Sequence, residues 1–375
     1  MIYLDYSATT PVSYEVLDTI SKVTKEFIGN PNSLHALGLK SAQLLESATK
    51  QIADIFNINV NEIVYTSGAT EANNMAIIGA AMANHRKGKH IIVSKLEHPS
   101  IYAICDYLKS IGFEIEYVAN DSEGLIDFED LKNKVREDTI LVSICAVNSE
   151  TGVRQPLKMI RQIIKKENIS TIFHSDMTQA IGKVSVNFHD VDLASMSAHK
   201  IFGPKGIGFL YKSSMIKITP LIYGSGKSND LKPGTPPLPL IAALSKAIRL
   251  ANDSLEKRER FISLLNNKIV SALEKYPNIK INKTKYSIPQ ILNISIMNVM
   301  PETFIHLMDK HEIYLSSNTA CSSGDVSSSI MAIYNDQKRA KHTIRISLSY
   351  VTTTEEVNKF IDIFKSEYEN IMQVK

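Results

Sequence analysis

Short apolar runs alternate with helical patterns over the first two thirds of the chain. Apolar side chains recur at helical spacing in residues 36–56, and the run at residues 63–66 precedes a turn and a helix that reaches Ala83. Further apolar runs, separated by helical patterns, are predicted as strands at residues 91–94, 113–118, 140–147, 171–174, 193–197 and 208–211. Runs that are apolar on both faces predict an α/β fold with a largely parallel sheet covered by helices on both sides.

The last third of the chain has a different pattern. A proline-rich connector at residues 233–239 (PGTPPLP) cannot continue a helix, and it precedes a long helical pattern from Leu240 to about Tyr276, with a break near Asn252. Strand, helix, loop and strand patterns follow, and a terminal helix starts near Thr354. This part predicts a smaller α+β domain.

The length of the chain fits two domains of unequal size. We expect a large domain over residues 12–250. We expect residues 1–11 and 251–375 to form the small domain, which would carry the loop around Cys321.

Composition excludes several functional classes. The chain has 375 residues, of which 42 are basic and 39 acidic, so a net charge of +3 does not predict nucleic-acid binding. It has no apolar stretch of the roughly 18 residues that span a bilayer, and its first residues lack a signal-peptide pattern, so we expect a soluble cytoplasmic protein without a membrane partner. Three cysteines without a CxxC pair argue against disulfides or a bound metal.

Lys200 and Asp176 each follow a predicted strand, at the sheet edge where such folds bind ligands. A lysine in the segment at residues 197–206 (SAHKIFGPKG) can form a Schiff base with an aldehyde cofactor. Enzymes that use pyridoxal 5'-phosphate (PLP) also need a carboxylate for the pyridine nitrogen, which Asp176 can supply. Singly, a solvated lysine and a helix-capping aspartate would explain these residues. Together they favour PLP chemistry.

The turn at residues 67–70 (SGAT) opens a predicted helix, where the backbone N–H groups around Ala69 and the hydroxyl of Thr70 can bind an anion. Ser197 and His199 are close enough to Lys200 in sequence to bind the same phosphate. A plain helix cap is the structural alternative.

His98 follows another predicted strand, and an imidazole there can stack on a pyridine ring and move protons near neutral pH. An ordinary loop histidine is the alternative. Cys321 lies in a small, polar stretch at residues 316–325 (SSNTACSSGD), which suits a reactive thiol. The apolar neighbours of Cys105 and Cys145 instead suggest core packing.

These residues stand in an order that resembles the cysteine desulfurases, class V of the fold-type-I PLP enzymes. The resemblance covers nearly the whole chain and is strongest for the housekeeping and nitrogen-fixation branch, which has a longer cysteine loop. The matching stretches are residues 3–11 (YLDYSATTP), 29–35 (GNPNSLH), 66–74 (TSGATEANN), 174–179 (HSDMTQ), the lysine segment and the loop around Cys321.

The resemblance implies the sites of cofactor and substrate. The implied cofactor-binding set is Lys200 (Schiff base), Asp176 (ring nitrogen), Gln179 (ring oxygen), His98 (ring stacking), and Ala69, Thr70, Ser197 and His199 (phosphate). Thr235 would reach the phosphate from the other subunit of a homodimer, and Arg345 would pair with the substrate carboxylate. Cys321 would take the sulfur of L-cysteine as a persulfide, release alanine and pass the sulfur to an acceptor protein.

Three departures from the family pattern stand out. Ser149 replaces the second asparagine of an Asn-Asn-Glu run that contacts cofactor or substrate, residues 224–229 read GSGKSN, and Ser349-Tyr350 replaces Gly-Arg. We expect them to cluster near the dimer-facing and substrate-facing side. A selenocysteine lyase or an aminotransferase on the same scaffold is one alternative, although an aminotransferase needs no thiol. A PLP-binding regulatory protein without turnover is the other.

Overall fold

A computed structural model describes residues 1–225, 229–317 and 326–373 of the protein. Its helices are α1 (Tyr14–Glu26), α2 (Ala36–Phe56), α3 (Ala69–Asn84), α4 (Pro99–Ser110), α5 (Phe128–Lys134), α6 (Leu157–Glu167), α7 (Leu238–Asn252), α8 (Leu255–Leu273), α9 (Pro301–Asp309), α10 (Ser328–Tyr334), α11 (Gln337–Lys341) and α12 (Thr354–Gln373). Its strands are β1 (Ile2–Tyr3), β2 (Ile63–Thr66), β3 (His90–Ser94), β4 (Glu114–Val118), β5 (Thr139–Ser143), β6 (Ile172–Asp176), β7 (Leu193–Ser197), β8 (Gly208–Lys212), β9 (Ile279–Ile281), β10 (Ile291–Ile296), β11 (Ile313–Tyr314) and β12 (Thr343–Ser347).

The large sheet confirms the predicted α/β architecture. Its seven strands lie in the order β2-β8-β7-β6-β5-β3-β4. Within this sheet only β8 runs against the other strands, pairing antiparallel with both β2 and β7. The remaining pairs are parallel, so the carboxyl ends of β2, β3, β5, β6 and β7 lie at one edge.

Alternating side chains of the buried strands pack against two helical layers. One face, with Val142, Phe173 and Phe209, packs against α1, α2, α6 and α7. The other face, with Leu141 and Leu193, packs against α3 and α4. Strands covered on both faces need apolar residues at every position, which explains the continuous apolar runs in the sequence.

A second core lies beside the large sheet. The antiparallel sheet β12-β10-β9 and the parallel pair β1-β11 pack with α8, α9 and α12. Ile2 and Leu4, from the start of the chain, belong to this core. This is the predicted smaller α+β unit, whose exact boundaries stay a prediction.

Two details refine the predicted elements. The apolar run at residues 140–147 is not one regular strand, because β5 ends at Ser143, although Ile144 N and Ala146 N still donate to the carbonyls of His174 and Asp176 in β6. The backbone N–H of Cys145 instead donates to Glu97 Oε1 at 2.6 Å. The helix break predicted near Asn252 is confirmed, since Ser254 adopts a left-handed conformation with φ of 58° between α7 and α8.

No helix in the described parts of the chain combines the length and the apolar composition that a membrane crossing would need.

Candidate active site

A cavity of about 540 Å³ opens at the carboxyl edge of the large sheet. It collects the predicted site residues Ala69, Thr70, His98, Ser149, Asp176, Gln179, Ser197, His199, Lys200 and Arg345. They converge because each follows a strand or begins a helix at the same edge, except Arg345, which β12 contributes from the smaller unit.

Lys200 lies in a short helical turn directly after β7. Its Nζ donates hydrogen bonds to the backbone carbonyls of Ser7 at 2.6 Å and Ala8 at 2.7 Å. The N-terminal segment is held against this turn by Thr10, whose Oγ1 donates to His199 O at 3.0 Å and accepts from Phe202 N at 2.7 Å. The carbonyls of Ser7 and Ala8 therefore hold the amine at the wall of the cavity that Lys200 lines.

Asp176 is the last residue of β6, and only 7% of it is exposed. One carboxylate oxygen accepts from Thr178 N and the other from Asn73 Nδ2, each at 2.9 Å. Asn73 lies on α3 and is fully buried. It belongs to a stretch that the resemblance used, but sequence reasoning gave it no role. Asp176 is thus fixed as a carboxylate at the cavity wall and does not cap a helix.

The start of α3 forms an anion cradle. Gly68 precedes the helix with φ of 156°, and a Cβ there would lie 2.9 Å from Ser197 Oγ. Ser197 Oγ accepts from Ala69 N at 3.3 Å, and the helix has no side-chain cap of its own. Uncapped N–H groups at a helix start are suited to phosphate. Lys205, which the sequence did not single out, also lines this cavity.

His98 caps the start of α4 through its ring. Its Nδ1 accepts from Ser100 N at 3.2 Å, so a neutral ring carries its proton on Nε2. Burial, with Lys200 and Arg345, lowers the pKa of His98, whereas Asp176 opposes the shift. The ring therefore stays neutral near pH 7.

Arg345 is 2% exposed, and its guanidinium group has both paired and unpaired nitrogens. Its Nη2 lies 3.0 Å from Asp5 Oδ1, and its Nη1 donates to Ser149 O at 3.0 Å. Its Nε has no hydrogen-bonding partner within the described residues. Burial raises the pKa of Asp5, and Arg345 opposes that shift. A buried guanidinium that lines a cavity is suited to a carboxylate ligand.

Cys321 lies outside the described residues, but both flanks of its segment are placed. On one side Ser316 pairs with the backbone of Arg345, whose N–H donates to Ser316 O at 2.7 Å. On the other side Ser327 Oγ donates to the buried carboxylate of Glu150, next to Ser149. One flank thus contacts Arg345, and the other contacts the neighbour of Ser149, and both Arg345 and Ser149 line the cavity.

The other two cysteines are buried, as predicted. Burial raises the pKa of Cys105 to about 12 and holds that of Cys145 well above its usual range. Cys145 nevertheless lines the cavity, which its apolar neighbours did not reveal.

Thr235 does not line this cavity. It is exposed and borders a separate cavity of about 660 Å³, together with Ser67 and Gly206. Its predicted role for a second subunit stays a prediction.

The departures do not all face the substrate side. Ser149 lines the main cavity, but Tyr350 lies behind Lys200, in a cavity of about 30 Å³. There Tyr350 packs on Phe202, with ring centroids 4.9 Å apart, and Arg258 stacks on it at 3.9 Å. Whether Tyr350 lies near the dimer-facing side stays a prediction. Residues 226–228, which belong to the departure at residues 224–229, lie outside the described residues.

The described residues fit PLP on four counts. The uncapped start of α3 with Ser197 suits its phosphate, and Asp176 suits its ring nitrogen. Lys200 supplies an amine, and Arg345 places a guanidinium group in the cavity lining for a second anion. Basic side chains predominate in the lining, since Glu71 is neutralised by an ion pair with Lys232.

Comparisons with known proteins agree with this chemistry. The family described as aminotransferase class-V matches residues 2–360. A protein named cysteine desulfurase IscS from Dictyoglomus turgidum is 37% identical over 100% of this chain and 96% of its own length. A NifS/IcsS protein homolog from Lactobacillus delbrueckii subsp. bulgaricus is 39% identical over 100% of this chain and 99% of its own.

Solved structures show the same likeness. A NifS-like protein is 34% identical and superposes with a TM-score of 0.93 over 100% of both chains. A structure described as SspA in complex with cysteine is 29% identical and has a TM-score of 0.81, covering 94% of this chain and 100% of its own.

His199 should make the protein less stable in mild acid. Burial, with Lys200, Lys205 and Lys183, lowers its pKa to about 4, whereas an unfolded histidine titrates near 6.5. Between these values only the unfolded chain binds the proton, so the free energy of unfolding contributed by His199 falls as the pH drops from about 6.5 to about 4. Urea unfolding of the PLP-free protein and of His199→Gln across this range measures the effect. Equal pH slopes in the two proteins would contradict it.

Proposed function

Because the chain belongs to the aminotransferase class-V family, and within it to the cysteine desulfurases, we propose that it uses PLP to transfer the sulfur of L-cysteine to its own Cys321. L-Alanine is the other product. The observation that carries this proposal is the position of Arg345. Its side chain belongs to the lining of the cavity of Lys200 and Asp176, and its backbone pairs with Ser316, five residues before Cys321.

The residues around the cavity divide the binding of PLP between them. Ser197, Thr70, His199 and the start of α3 hold the phosphate, and Asp176 keeps the ring nitrogen protonated. Gln179 donates to the ring oxygen, and Lys200 is the amine that binds the cofactor. When bound there, PLP supplies an electron sink for the α-carbon of an amino acid.

The remaining residues orient the substrate. Arg345, which lines the cavity, binds the carboxylate of L-cysteine through its guanidinium group. Asp5 and the carbonyl of Ser149 keep the guanidinium in place. His98 lies beside the same cavity with its proton on Nε2, where it can stack on the ring and exchange a proton with the substrate.

Sulfur transfer balances without an added oxidant or reductant. The thiolate of Cys321 forms a bond to the substrate sulfur while the Cβ–S bond of the substrate breaks. The electron pair of that bond and a proton go to Cβ, which becomes the methyl group of alanine. Sulfur leaves as a persulfide on Cys321, and the carbon is reduced as the sulfur is oxidised.

The reach of Cys321 is compatible with this transfer. Five peptide units separate it from Ser316, and at about 3.3–3.6 Å per residue they span at most about 18 Å. Ser316 lies next to the backbone of Arg345, so the cavity falls within that distance.

We infer that the persulfide passes to an acceptor protein in the synthesis of iron–sulfur clusters or of a thio-cofactor. Cys321 has to be a free thiol at the start of each turnover, and cysteines stay reduced in the cytoplasm, which supports the cytoplasm as its location.

We also infer a homodimer. Thr235 is exposed and borders a cavity beyond the α3 turn of its own chain, which supports a role in the site of a partner subunit.

Replacing Cys321 should abolish turnover. Cys321→Ser lacks the thiolate, so alanine formation from L-cysteine with a thiol reductant should fall at least about 10³-fold. Cys105→Ala, which removes a thiol buried in α4, is the matched control and should stay active. Quantified alanine and sulfide should appear in equal amounts in the wild type. Alanine formation at the wild-type rate by Cys321→Ser would refute the assignment, and amino transfer to a keto acid would indicate an aminotransferase.

Replacing Lys200 should remove the covalent attachment of PLP. Lys200→Ala should lack the visible absorbance that lysine-bound PLP gives near neutral pH, whereas Lys217→Ala, at an exposed lysine on the surface, should keep it. A spectrum of each purified protein decides. Survival of the band in Lys200→Ala would mean that another amine holds the cofactor.

Mixed dimers should reveal a shared site. The protein should sediment at twice its 41.8 kDa chain mass. Thr235→Ala should weaken PLP binding, and pairing Thr235→Ala with Lys200→Ala subunits should restore one site of wild-type PLP affinity, because each subunit then supplies what the other lacks. If the mixed dimer shows only the weakened affinity, Thr235 does not serve the partner.

A further inference from the structure

Lys183 is a buried lysine behind the candidate active site that the proposed reaction does not use. It lies in the turn after β6, and only 9% of it is exposed. Its Nζ donates a hydrogen bond to Gln179 Oε1. No carboxylate in the described part of the chain lies within ion-pair distance of this amine. Lysines are almost never buried without such a partner, so this position calls for a physical explanation.

Lys183 and Ser7 fix the side-chain amide of Gln179 in one orientation. Gln179 Nε2 donates to Ser7 O at 2.9 Å, while Oε1 accepts from Lys183. A flipped amide would bring its oxygen against a carbonyl and its NH₂ group against an amine. Since Nε2 carries two hydrogens and Ser7 O takes one, a second N–H of Gln179 is available in the cavity that this residue lines.

Lys183 also adds a positive group to a cationic neighbourhood. It borders the 30 Å³ cavity behind Lys200, and Gln290 Nε2 binds its carbonyl at 3.0 Å. Titratable and charged groups that border this cavity or act on Lys183 are Tyr6, His199, Lys200, Arg258, Arg345 and Tyr350. Burial, with Lys200 and Arg345, holds the pKa of Lys183 well below its usual range. Anions bound in the main cavity would favour its charged form.

We propose that Lys183 is a positioning residue for PLP, which holds the Gln179 amide with an N–H toward the ring oxygen and places a second amine behind Lys200. This inference rests on the proposed function, because the orientation of Gln179 matters to the chemistry only when PLP occupies the cavity.

The test is the pH titration of the visible absorbance of bound PLP. A hydrogen-bond donor to the ring oxygen and a nearby positive charge both favour the deprotonated form of the lysine-bound PLP, which is the group that absorbs visible light. Lys183→Met removes the charge and releases the Gln179 oxygen, so the titration midpoint should rise by about 1 pH unit, equivalent to a tenfold change in the protonation equilibrium. An unchanged midpoint in Lys183→Met with PLP bound would overturn the proposal.

Two further variants separate positioning from general damage. Lys183→Gln keeps an N–H donor for Gln179 Oε1, so its midpoint should rise less than that of Lys183→Met. Equal shifts of the midpoint in the two variants would overturn the positioning role. If Lys183→Met does not fold, Lys183→Gln carries the test alone, and its midpoint should lie above that of the wild type.

Lys212→Met is the matched control, because Lys212 is a partly buried lysine of β8 that binds Ile216 O at 2.9 Å outside the main cavity. It should lose stability without a shift of the midpoint, and a shift as large as that of Lys183→Met would overturn the proposal. A wild type without a visible PLP band would refute the proposed function itself. A wild-type band with unshifted Lys183 variants would refute only this inference.

Discussion

The basic side chains of Lys200, Lys183 and Arg345 lie near one another at the edge of the large sheet, and neighbouring backbone and side-chain groups hold each of them in place. Like charges repel more strongly in a protein interior than in water, and an unpaired buried charge costs several kcal/mol. Backbone carbonyls of the N-terminal segment accept from Lys200, Asp5 pairs with Arg345, and the Gln179 oxygen accepts from Lys183. The group is suited to two anions, the phosphate of the cofactor and the carboxylate of the substrate.

The N-terminal segment connects these basic side chains to the hydrophobic cores of the large sheet and of the smaller unit. Ile2 and Leu4 pack in the smaller core, and within a few residues the chain supplies the carbonyls for Lys200. Ser7 N also donates to Ser347 Oγ at the end of β12, the strand of Arg345. A shift between the two cores would therefore pull Lys200 and Arg345 apart. This explains why a short segment at the start of the chain matters to a site built mainly from residues far along the sequence.

The sequence was sufficient for the large sheet and for most of the cavity, because strands buried on both faces leave continuous apolar runs and their carboxyl ends coincide. Prediction from the sequence failed where contacts between residues far apart in the chain decide the local structure. The run at residues 140–147 reads as one strand, but β5 ends at Ser143, and the backbone N–H of Cys145 donates to the buried carboxylate of Glu97 rather than to a strand. Asn73 and Lys183 carry no local signal, since their partners Asp176 and Gln179 become neighbours only when the sheet and the turn after β6 form.

Two of the departures from the family pattern, Ser149 and Tyr350, leave the described contacts of Lys200, Asp176 and Arg345 intact. Ser149 lacks the amide of asparagine, but it binds Arg345 through its backbone carbonyl, a contact that any residue can make. Tyr350 lacks the positive charge of arginine, yet Arg258 stacks on its ring and donates to the carbonyl of Leu250 at the end of α7. A guanidinium thus remains in this region, brought by α8. Because neither change removes a donor or an acceptor from Lys200, Asp176 or Arg345, both are consistent with a working desulfurase and give no support to a regulatory protein without turnover.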